Sequence, residues 1–303
     1  MSDGSGGLTQ PSVGVIGVGN MGLGMALRLL DTGHAVRVHD LLPEREVLAV
    51  QAGASRAASA AALAQHCSVV AVVVVNAAQA HEVLFGAAGV VQAARRPQAV
   101  LLCPTIAPAD VEQMACGLAE HGIACIDAPM SGGPARARDG SMSLMVGCEQ
   151  ALFEQHRVLL QALGAQLFHV GPKPGDGART KLVNNLLAAV NLAGAAEAIA
   201  LAQRLGLDAV KTLQVIEQSS GQSWIGSDRM ARALAGDLAP RAHTTLLAKD
   251  SALAIAMAQQ TGIDPQLGTQ AAAMFRAACE AGHADEDDGS LLNYVAGCWS
   301  SVR

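Results

Sequence analysis

Residues 13–26 read Val13-Gly14-Val15-Ile16-Gly17-Val18-Gly19-Asn20-Met21-Gly22-Leu23-Gly24-Met25-Ala26. The stretch predicts a short apolar strand, a glycine turn and the start of a helix, and its glycines fit the pattern G-x-G-x-x-G. In that pattern glycine permits the tight turn, the close approach of the backbone to a pyrophosphate, and the close packing of helix against strand. Free N–H groups at the helix start then bind the phosphates. The predicted dinucleotide contacts in this turn are Gly17, Gly19, Asn20, Met21 and Gly22.

An acidic residue follows the second predicted strand at the spacing that this pattern requires. The strand covers residues 35–39, and Asp40 lies 23 residues after Gly17, close to the separation of about 20 expected for a carboxylate that binds the adenosine ribose. A carboxylate there repels a 2′-phosphate, so the sequence favours NAD over NADP. Arg45 lies near enough to leave NADP open as the cofactor, and a solvated aspartate at a strand end is the structural alternative.

The order of the predicted elements divides the chain into two domains. From residue 12 to about 172, apolar strands alternate with helices, and the valine-rich run at 69–75 is typical of a central parallel strand covered on both faces. Prolines and glycines at 172–177 end this pattern, and only helical patterns follow. We predict an α/β fold, with an N-terminal doubly wound Rossmann domain at 12–173 and a C-terminal all-α substrate and oligomerisation domain at 174–303, joined by a long helix. Residues 1–11, rich in glycine and serine, are predicted to be a disordered tail.

The remaining elements are predicted from apolar spacing. Further strands are expected at 98–103, 123–126, 143–146 and 166–170, and helices at 108–120, 149–163, 178–205, 210–218, 229–234, 245–261, 265–281 and 290–298. In open α/β sheets the ligand lies at the carboxyl ends of the strands. The substrate is therefore expected between those ends and the helical domain.

Composition limits the classes of function. The chain has 303 residues and a formal net charge of −6, and its basic residues form no stripe, so nucleic-acid binding is not expected. Seven cysteines are scattered without a C-x-x-C pair, and nine histidines show no metal-ligand spacing, so we predict free thiols in a reducing compartment and no metal site. The first residues lack the features of a signal peptide, and the apolar stretch 186–202 is interrupted by Asn191 and Glu197. We expect a cytoplasmic protein that does not span a membrane.

A polar patch on the long predicted helix is the first candidate for chemistry. Lys181 and Asn185 are four residues apart and share a helix face, with Asn184 beside them, on an otherwise apolar helix. A solvent-exposed first turn would also explain these residues. The patch falls at the predicted domain junction, and burial would lower the pKa of the lysine. Lys181 would then suit the transfer of a proton from a hydroxyl group as hydride leaves.

Other candidates follow predicted strands or lie on a later helix. Ser131, Gly132 and Gly133 follow the strand at 123–126 and offer a hydroxyl and unobstructed N–H groups for a carboxylate, although a plain turn is the alternative. Asn76 and Thr105 stand at strand ends, where cofactor contacts are usual and turn chemistry is the alternative. Lys249-Asp250 lies in a predicted helix and would by itself indicate a surface charge pair.

Five motifs in this order carry a family resemblance. They are residues 17–22, the Asp-Ala-Pro-Met-Ser-Gly-Gly of 127–133, the Lys-Leu-Val-Asn-Asn of 181–185, the Ser-Gly-Gln-Ser-Trp of 220–224, and Lys249-Asp250. Over residues 12–298 the chain resembles the β-hydroxyacid dehydrogenases, which include 3-hydroxyisobutyrate, tartronate-semialdehyde and L-threonate dehydrogenases. Residues 75–79, 83–86 and 221–230 look most like the L-threonate branch.

The resemblance implies a role for each motif. Lys181 would be the catalytic acid/base, Asn185 would hold the substrate with Asn184 beside it, and Ser131, Gly132 and Gly133 would bind the carboxylate. Lys249 would complete the pocket for cofactor and substrate, Asp250 would position that segment, and Thr105 would contact cofactor or substrate. The resemblance also implies a homodimer or homotetramer.

The expected reaction is NAD-dependent oxidation of a small β-hydroxyacid. L-threonate is the first substrate expected, followed by 3-hydroxyisobutyrate and then by tartronate semialdehyde in the reductive direction. An NAD(P)H-dependent reductase of a small semialdehyde and a dinucleotide-sensing protein without turnover are the alternatives. An imine reductase is disfavoured, because that branch generally lacks a lysine matching Lys181.

Overall fold

The computed structural model describes residues 12–300, apart from the side chain of Ser300. The predicted disordered tail at 1–11 lies outside the described residues. The chain divides into two compact units between Lys181 and Leu182. That division falls inside a helix that begins at Asp176. The predicted domain boundary after residue 173 stays a prediction.

The first unit contains one nine-stranded sheet. Its strands are β1 (Val13–Ile16), β2 (Val36–His39), β3 (Ser55–Arg56), β4 (Val69–Val72), β5 (Ala99–Leu102), β6 (Ala124–Asp127), β7 (Met130–Ser131), β8 (Ser143–Gly147) and β9 (Gln166–Gly171). The spatial order is β3-β2-β1-β4-β5-β6-β8-β7, and β9 pairs with β8. Strands β2 and β3 lie on one side of β1. After β3 the chain crosses to β4 on the other side of β1 and adds further strands outward from there, which is the doubly wound arrangement that the sequence predicts.

Strands β1 to β6 pair with one another in parallel, whereas β8 runs antiparallel to β6 and to β7. The doubly wound sheet that the alternation of strands and helices predicts is confirmed, and β8 is an antiparallel addition to it. The connection from β7 to β8 covers only residues 132–142, and a parallel crossover needs a dozen or more residues. The short connection therefore reverses the chain.

Helices cover both faces of this sheet. They are α1 (Asn20–Asp31), α2 (Val47–Gln51), α3 (Ala60–Ala64), α4 (Ala77–Phe85), α5 (Pro108–Glu120), α6 (Gly133–Asp139) and α7 (Gln150–Leu163), with 3₁₀ turns at Pro43–Glu46 and Val90–Gln92. Strand β4 shows the two layers directly. Val69 and Ala71 pack into one buried cluster, and Val70 and Val72 pack into the other. A strand buried on both faces explains the continuous valine-rich run.

The second unit is helical. Its helices are α8 (Asp176–Arg204, which begins in the first unit), α9 (Ala209–Glu217), α10 (Trp224–Leu234), α11 (Thr244–Gln260), α12 (Gln266–Ala278) and α13 (Leu291–Ser300), with a π turn at Cys279–His283 and a 3₁₀ turn at Asp288–Ser290. They surround a core centred on the fully buried Phe275. Within residues 172–300 no strand forms, as predicted.

Two predicted helix ends in this unit are wrong. Helix α10 begins at Trp224 rather than at 229, because the Ser223 hydroxyl accepts a hydrogen bond from the Gly226 N–H (3.1 Å) and caps the helix five residues earlier. Helix α12 ends at Ala278 rather than at 281, and Gly282 with φ +104° lies inside the π turn that follows.

Helix α8 is long and apolar enough to cross a membrane by length and composition alone. In its most apolar 18-residue window, 44 % of the residues are buried within the protein. The core helix of a soluble protein passes the same test of length and composition.

Candidate active site

The glycine turn between β1 and α1 admits no side chain at two of its positions. Gly17 has φ +89°, and a Cβ atom there would lie 2.4 Å from the Val73 carbonyl oxygen. A Cβ at Gly22 would lie 1.9 Å from the Gly17 carbonyl oxygen. Both glycines are therefore required by the protein's own backbone.

Gly19, the middle glycine of the turn, has different surroundings. Gly19 is the N-cap residue of α1 and has no side chain that could cap the helix. A Cβ at Gly19 would meet nothing within 4 Å in the part of the chain that the structure describes. Asn20 and Met21 form the exposed and half-buried start of the same helix. The space beside Gly19 leaves room for a dinucleotide phosphate to approach the start of α1.

Asp40 lies directly beside this turn. Its Oδ2 accepts a hydrogen bond from the Val18 N–H (2.7 Å), and its Oδ1 accepts one from the Leu42 N–H (2.9 Å). The Asp40 N–H in turn donates to Glu46 Oε1 (2.7 Å), and the buried Glu46 also pairs with Arg56. Sequence reasoning missed Glu46, whose only signal was an acid within a short Pro-Glu-Arg-Glu segment.

Two further predicted cofactor contacts lie at strand ends of the same sheet. The Asn76 Oδ1 accepts a hydrogen bond from the Gln79 N–H (2.9 Å) and caps α4, so turn chemistry accounts for that oxygen. Thr105 is half-buried in the segment between β5 and α5. Contact of either residue with a cofactor stays a prediction.

Lys181 and Asn185 lie one turn apart on α8, and each is 7 % exposed. A solvent-exposed first turn, the alternative for these two residues, is therefore excluded. Asn184 is exposed, and its Nδ2 donates to Asn185 Oδ1 (3.0 Å). A lysine and an amide on an apolar helix are thus held in a buried environment.

A carboxylate on α11 fixes the amide of Asn185. Asp250 is 8 % exposed and its Oδ2 accepts a hydrogen bond from Asn185 Nδ2 (2.6 Å). The Asp250 Oδ1 pairs with Lys249 Nζ (2.8 Å). Because a carboxylate only accepts hydrogen bonds, it orients Asn185 with its NH₂ group towards Asp250 and leaves Oδ1 as an acceptor. Lys249-Asp250 is therefore not the surface charge pair that the sequence alone indicated.

The predicted carboxylate site follows β6. Ser131 ends β7, and Gly133 begins α6, a helix that the sequence analysis did not predict. Gly132 and Gly133 have φ of +138° and +75°, a region that disfavours residues with a Cβ. A Cβ at Gly133 would meet nothing within 4 Å among the described residues. The backbone here leaves room for a ligand group.

Sequence reasoning also missed Asp127, the last residue of β6. It is 1 % exposed, and its Oδ2 accepts hydrogen bonds from the N–H groups of Gly175 (2.8 Å) and Ala178 (3.0 Å). Its signal was an acid that directly follows an apolar strand. Among residues 12–300, no group of three or more His, Cys, Asp or Glu side chains is placed to hold a metal ion.

These features define a class of protein. A doubly wound sheet with a glycine turn open at the helix start is the framework of a dinucleotide-binding protein. A buried lysine beside an oriented amide adds groups that can move a proton. Together they are typical of a nucleotide-dependent oxidoreductase.

Comparison with known proteins identifies the family. Residues 12–171 match the family described as the NAD binding domain of 6-phosphogluconate dehydrogenase, and residues 175–295 match the NAD-binding family of NADP-dependent 3-hydroxyisobutyrate dehydrogenase. The chain is 37 % identical to L-threonate dehydrogenase from Cupriavidus necator, over 94 % of this chain and 96 % of that protein. It is 31 % identical to mitochondrial 3-hydroxyisobutyrate dehydrogenase from Bos taurus, over 95 % and 87 %.

A solved structure agrees with these relatives. The crystal structure of 3-hydroxyisobutyrate dehydrogenase from Salmonella typhimurium is 34 % identical, covers 93 % of this chain and 99 % of that chain, and has a TM-score of 0.87. The chain therefore belongs to the 3-hydroxyisobutyrate dehydrogenase family of NAD(P)-dependent β-hydroxyacid dehydrogenases. The family, the fold and the class of cofactor that the sequence predicted are confirmed.

Proposed function

We propose that this enzyme oxidises L-threonate, with NAD as its preferred cofactor and Lys181 as its acid/base. The observation that carries the proposal is the burial of Lys181 one helical turn from Asn185. Similarity to L-threonate dehydrogenase over nearly the whole chain supports the choice of substrate. 3-Hydroxyisobutyrate is the next substrate, and tartronate semialdehyde in the reductive direction follows.

The chain's own groups supply binding, orientation and proton transfer. The substrate carboxylate accepts hydrogen bonds from the Ser131 hydroxyl and the N–H groups of Gly132 and Gly133. Lys181 takes the proton of the hydroxyl group, and Asn185, oriented by Asp250, holds the substrate beside it. Asn184 and Lys249 are further proposed contacts of the substrate. NAD, when bound, supplies the acceptor for the hydride.

Preference for NAD is supported by the environment of Asp40. Two backbone N–H groups hold its carboxylate in one orientation, and a fixed negative charge at this position repels a 2′-phosphate. Arg45 is exposed on the same connection, so NADP remains an alternative cofactor. Gly17, Gly19, Asn20, Met21 and Gly22 would hold the pyrophosphate, and Asn76, Thr105 and Lys249 would complete the cofactor site.

We also propose that the enzyme is a cytoplasmic homodimer or homotetramer. Large apolar side chains with half or more of their surface exposed recur on α8 and directly after it: Val183, Leu187, Leu201 and, after the helix end, Leu205. Soluble monomers rarely expose contiguous apolar patches of this kind. A second copy of the chain would cover them.

The test is NADH formation by the purified protein with a panel of hydroxyacids. L-threonate, D-threonate, 3-hydroxyisobutyrate, D-glycerate and L-serine are compared, with NADP in parallel. We expect turnover of L-threonate with NAD. Lys181→Met, which keeps the apolar stem of the side chain, should lower kcat by about 100-fold to 10,000-fold while NAD still binds. Lys173→Met, at an exposed lysine before α8, is the matched control and should keep kcat.

Other outcomes separate the alternatives. Turnover only in the direction of semialdehyde reduction would replace the proposal with a reductase. Binding of NAD without turnover of any hydroxyacid or semialdehyde would leave a dinucleotide-sensing protein. Full activity of Lys181→Met would remove Lys181 from the mechanism.

A further inference from the structure

A buried carboxylate joins the end of β6 to the start of α8. Asp127 ends β6, and its Oδ2 accepts hydrogen bonds from the Gly175 N–H (2.8 Å) and the Ala178 N–H (3.0 Å). The Gly177 N–H interacts with the same carboxylate. These N–H groups belong to the turn before α8 and to its first turn, where a helix has no intrahelical partners for them.

The titratable groups around Asp127 are a carboxyl group and thiols, which carry no positive charge. They are Asp176 on α8 and three thiols: Cys125 within β6, and Cys103 and Cys148, which directly follow β5 and β8. Backbone dipoles therefore balance the negative charge of Asp127. Burial raises the pKa of Asp127 to about 6, and the hydrogen bonds from Ala178, Gly175 and Gly177 oppose that rise. The carboxylate is therefore ionised in neutral solution, where the positive end of the α8 dipole stabilises it.

Glycine packing fixes the position of this helix start. A Cβ at Gly177 would lie 2.5 Å from the Met145 carbonyl oxygen on β8 and 3.0 Å from Asp127 Cγ. The backbone of α8 thus lies directly on the ends of β6 and β8, without room for a side chain between them. A displacement of Asp127 would move the helix start with it.

We propose that Asp127 is a positioning residue for the dehydrogenase reaction, holding the first turn of α8 on β6 so that Lys181 stays in register with Ser131–Gly133. Lys181 lies three residues after Ala178, less than one turn along the helix. Asp127 also begins the segment that leads from β6 to Ser131. One side chain therefore joins the proposed carboxylate site to the proposed acid/base. The inference rests on the proposed function, in which Lys181 moves the proton.

The first experiment removes the charge and keeps the shape. Asp127→Asn should fold and bind NAD, and its kcat should fall by about 10-fold to 100-fold because proton transfer is sensitive to displacement of the reacting groups by about 1 Å. KM should change little. In the wild type kcat should rise as the pH passes through about 6, where Asp127 ionises, and this rise should be absent from the variant. Asp208→Asn is the control, because Asp208 likewise accepts two backbone N–H groups at the start of α9.

A second variant displaces the helix and keeps the charge. The Cβ of Gly177→Ala would push α8 away from β8, so kcat should fall while the rise of kcat through pH 6 remains. Gly297→Ala in α13, where a Cβ meets nothing within 4 Å among the described residues, should behave as the wild type. Amide hydrogen exchange of residues 175–181 measures the stability of the helix start directly. The exchange should be faster in Asp127→Asn and in Gly177→Ala than in the wild type.

The outcomes separate this inference from the proposed function. Wild-type kcat with an unchanged pH profile in Asp127→Asn, accompanied only by lower thermal stability, would overturn the positioning role and leave the proposed function intact. A wild-type protein that turns over no hydroxyacid would overturn the proposed function. In that case unaltered hydrogen exchange in Asp127→Asn would also overturn the contact on which the inference depends.

Discussion

The starts of helices α1 and α8 have different surroundings. At α1, the N-cap residue is Gly19, which has no side chain to cap the helix, and a Cβ there would meet nothing within 4 Å among the described residues. At α8, the buried Asp127 accepts the N–H groups of Gly175 and Ala178, and Gly177 packs against β8. Both starts attract negative charge for the same physical reason. The proposed cofactor phosphate would bind at the start of α1, whereas at α8 the protein's own carboxylate accepts the N–H groups.

The comparison shows how one physical effect serves two purposes. An open helix start binds an anion that arrives and leaves with the ligand. A start closed by an internal carboxylate has a fixed position, which is an advantage for a helix that carries Lys181 and Asn185. The three predictions below test this difference, beginning with the largest expected effect.

A methyl group at Gly19 should weaken cofactor binding without destabilising the fold. In Gly19→Ala the new Cβ meets no described atom of the protein within 4 Å, so the melting temperature should stay within a few degrees of the wild type. The cofactor phosphate would lose about two charge-assisted hydrogen bonds, or about 3 kcal/mol, so the Kd for NADH should rise by about 100-fold. Fluorescence titration with NADH measures this, with Gly297→Ala as the control. Unchanged affinity would mean that the phosphate binds elsewhere.

The closed start should make stability depend on pH. Burial raises the pKa of Asp127 from 3.8 to about 6, so the folded state holds this proton more tightly than the unfolded state. The resulting stabilisation is present in full below pH 3.8 and is lost as the pH rises through about 6. Between pH 4 and pH 7 the free energy of unfolding of the wild type should therefore fall by about 2 kcal/mol relative to Asp127→Asn.

Urea denaturation of the wild type and of Asp127→Asn across this pH range, monitored by circular dichroism, checks the prediction. Asp288, whose pKa burial also raises to about 6, titrates in both proteins and cancels from the difference. A difference that does not change with pH would mean that Asp127 titrates alike in the folded and unfolded chains.

The smallest effect concerns the carboxylate beside the open start. Asp40→Asn removes the charge that repels a 2′-phosphate and weakens hydrogen bonds to the ribose, so the ratio of kcat/KM for NAD to that for NADP should fall by about tenfold, equivalent to about 1.4 kcal/mol. Glu44→Gln removes an exposed acid from the same connection and should leave the ratio unchanged. An unaltered ratio in Asp40→Asn would assign cofactor preference to other residues.

Much of the first unit could be predicted from the sequence because its signals are local. The apolar run of β4 and the proline at the start of α5 predict those elements without reference to the rest of the chain, and α5 has the predicted bounds Pro108–Glu120. The two-residue strands β3 and β7 and the helices α2, α3, α4 and α6 were not predicted. Except for α4, which has nine residues, these elements are too short to show a periodic pattern.

The sequence proposed the candidate residues of the site but none of their contacts. Lys181, Asn185 and Lys249-Asp250 were identified from spacing and family resemblance, yet the same residues would also suit a solvated surface. The hydrogen bond between Asn185 and Asp250 joins positions 65 residues apart. No local pattern indicates such a contact.

The sequence by itself determined the alternation of strands and helices, the glycine turn at 17–22 and the helical second half, because these depend on residues within a few positions of one another. Only the tertiary structure decided which polar groups are buried and with what partners. Asp127 illustrates the difference: it is one acid at a strand end in the sequence and a carboxylate that holds a helix start in the fold. Burial and hydrogen bonding depend on segments brought together from distant parts of the chain, and their free energies arise only when those segments pack.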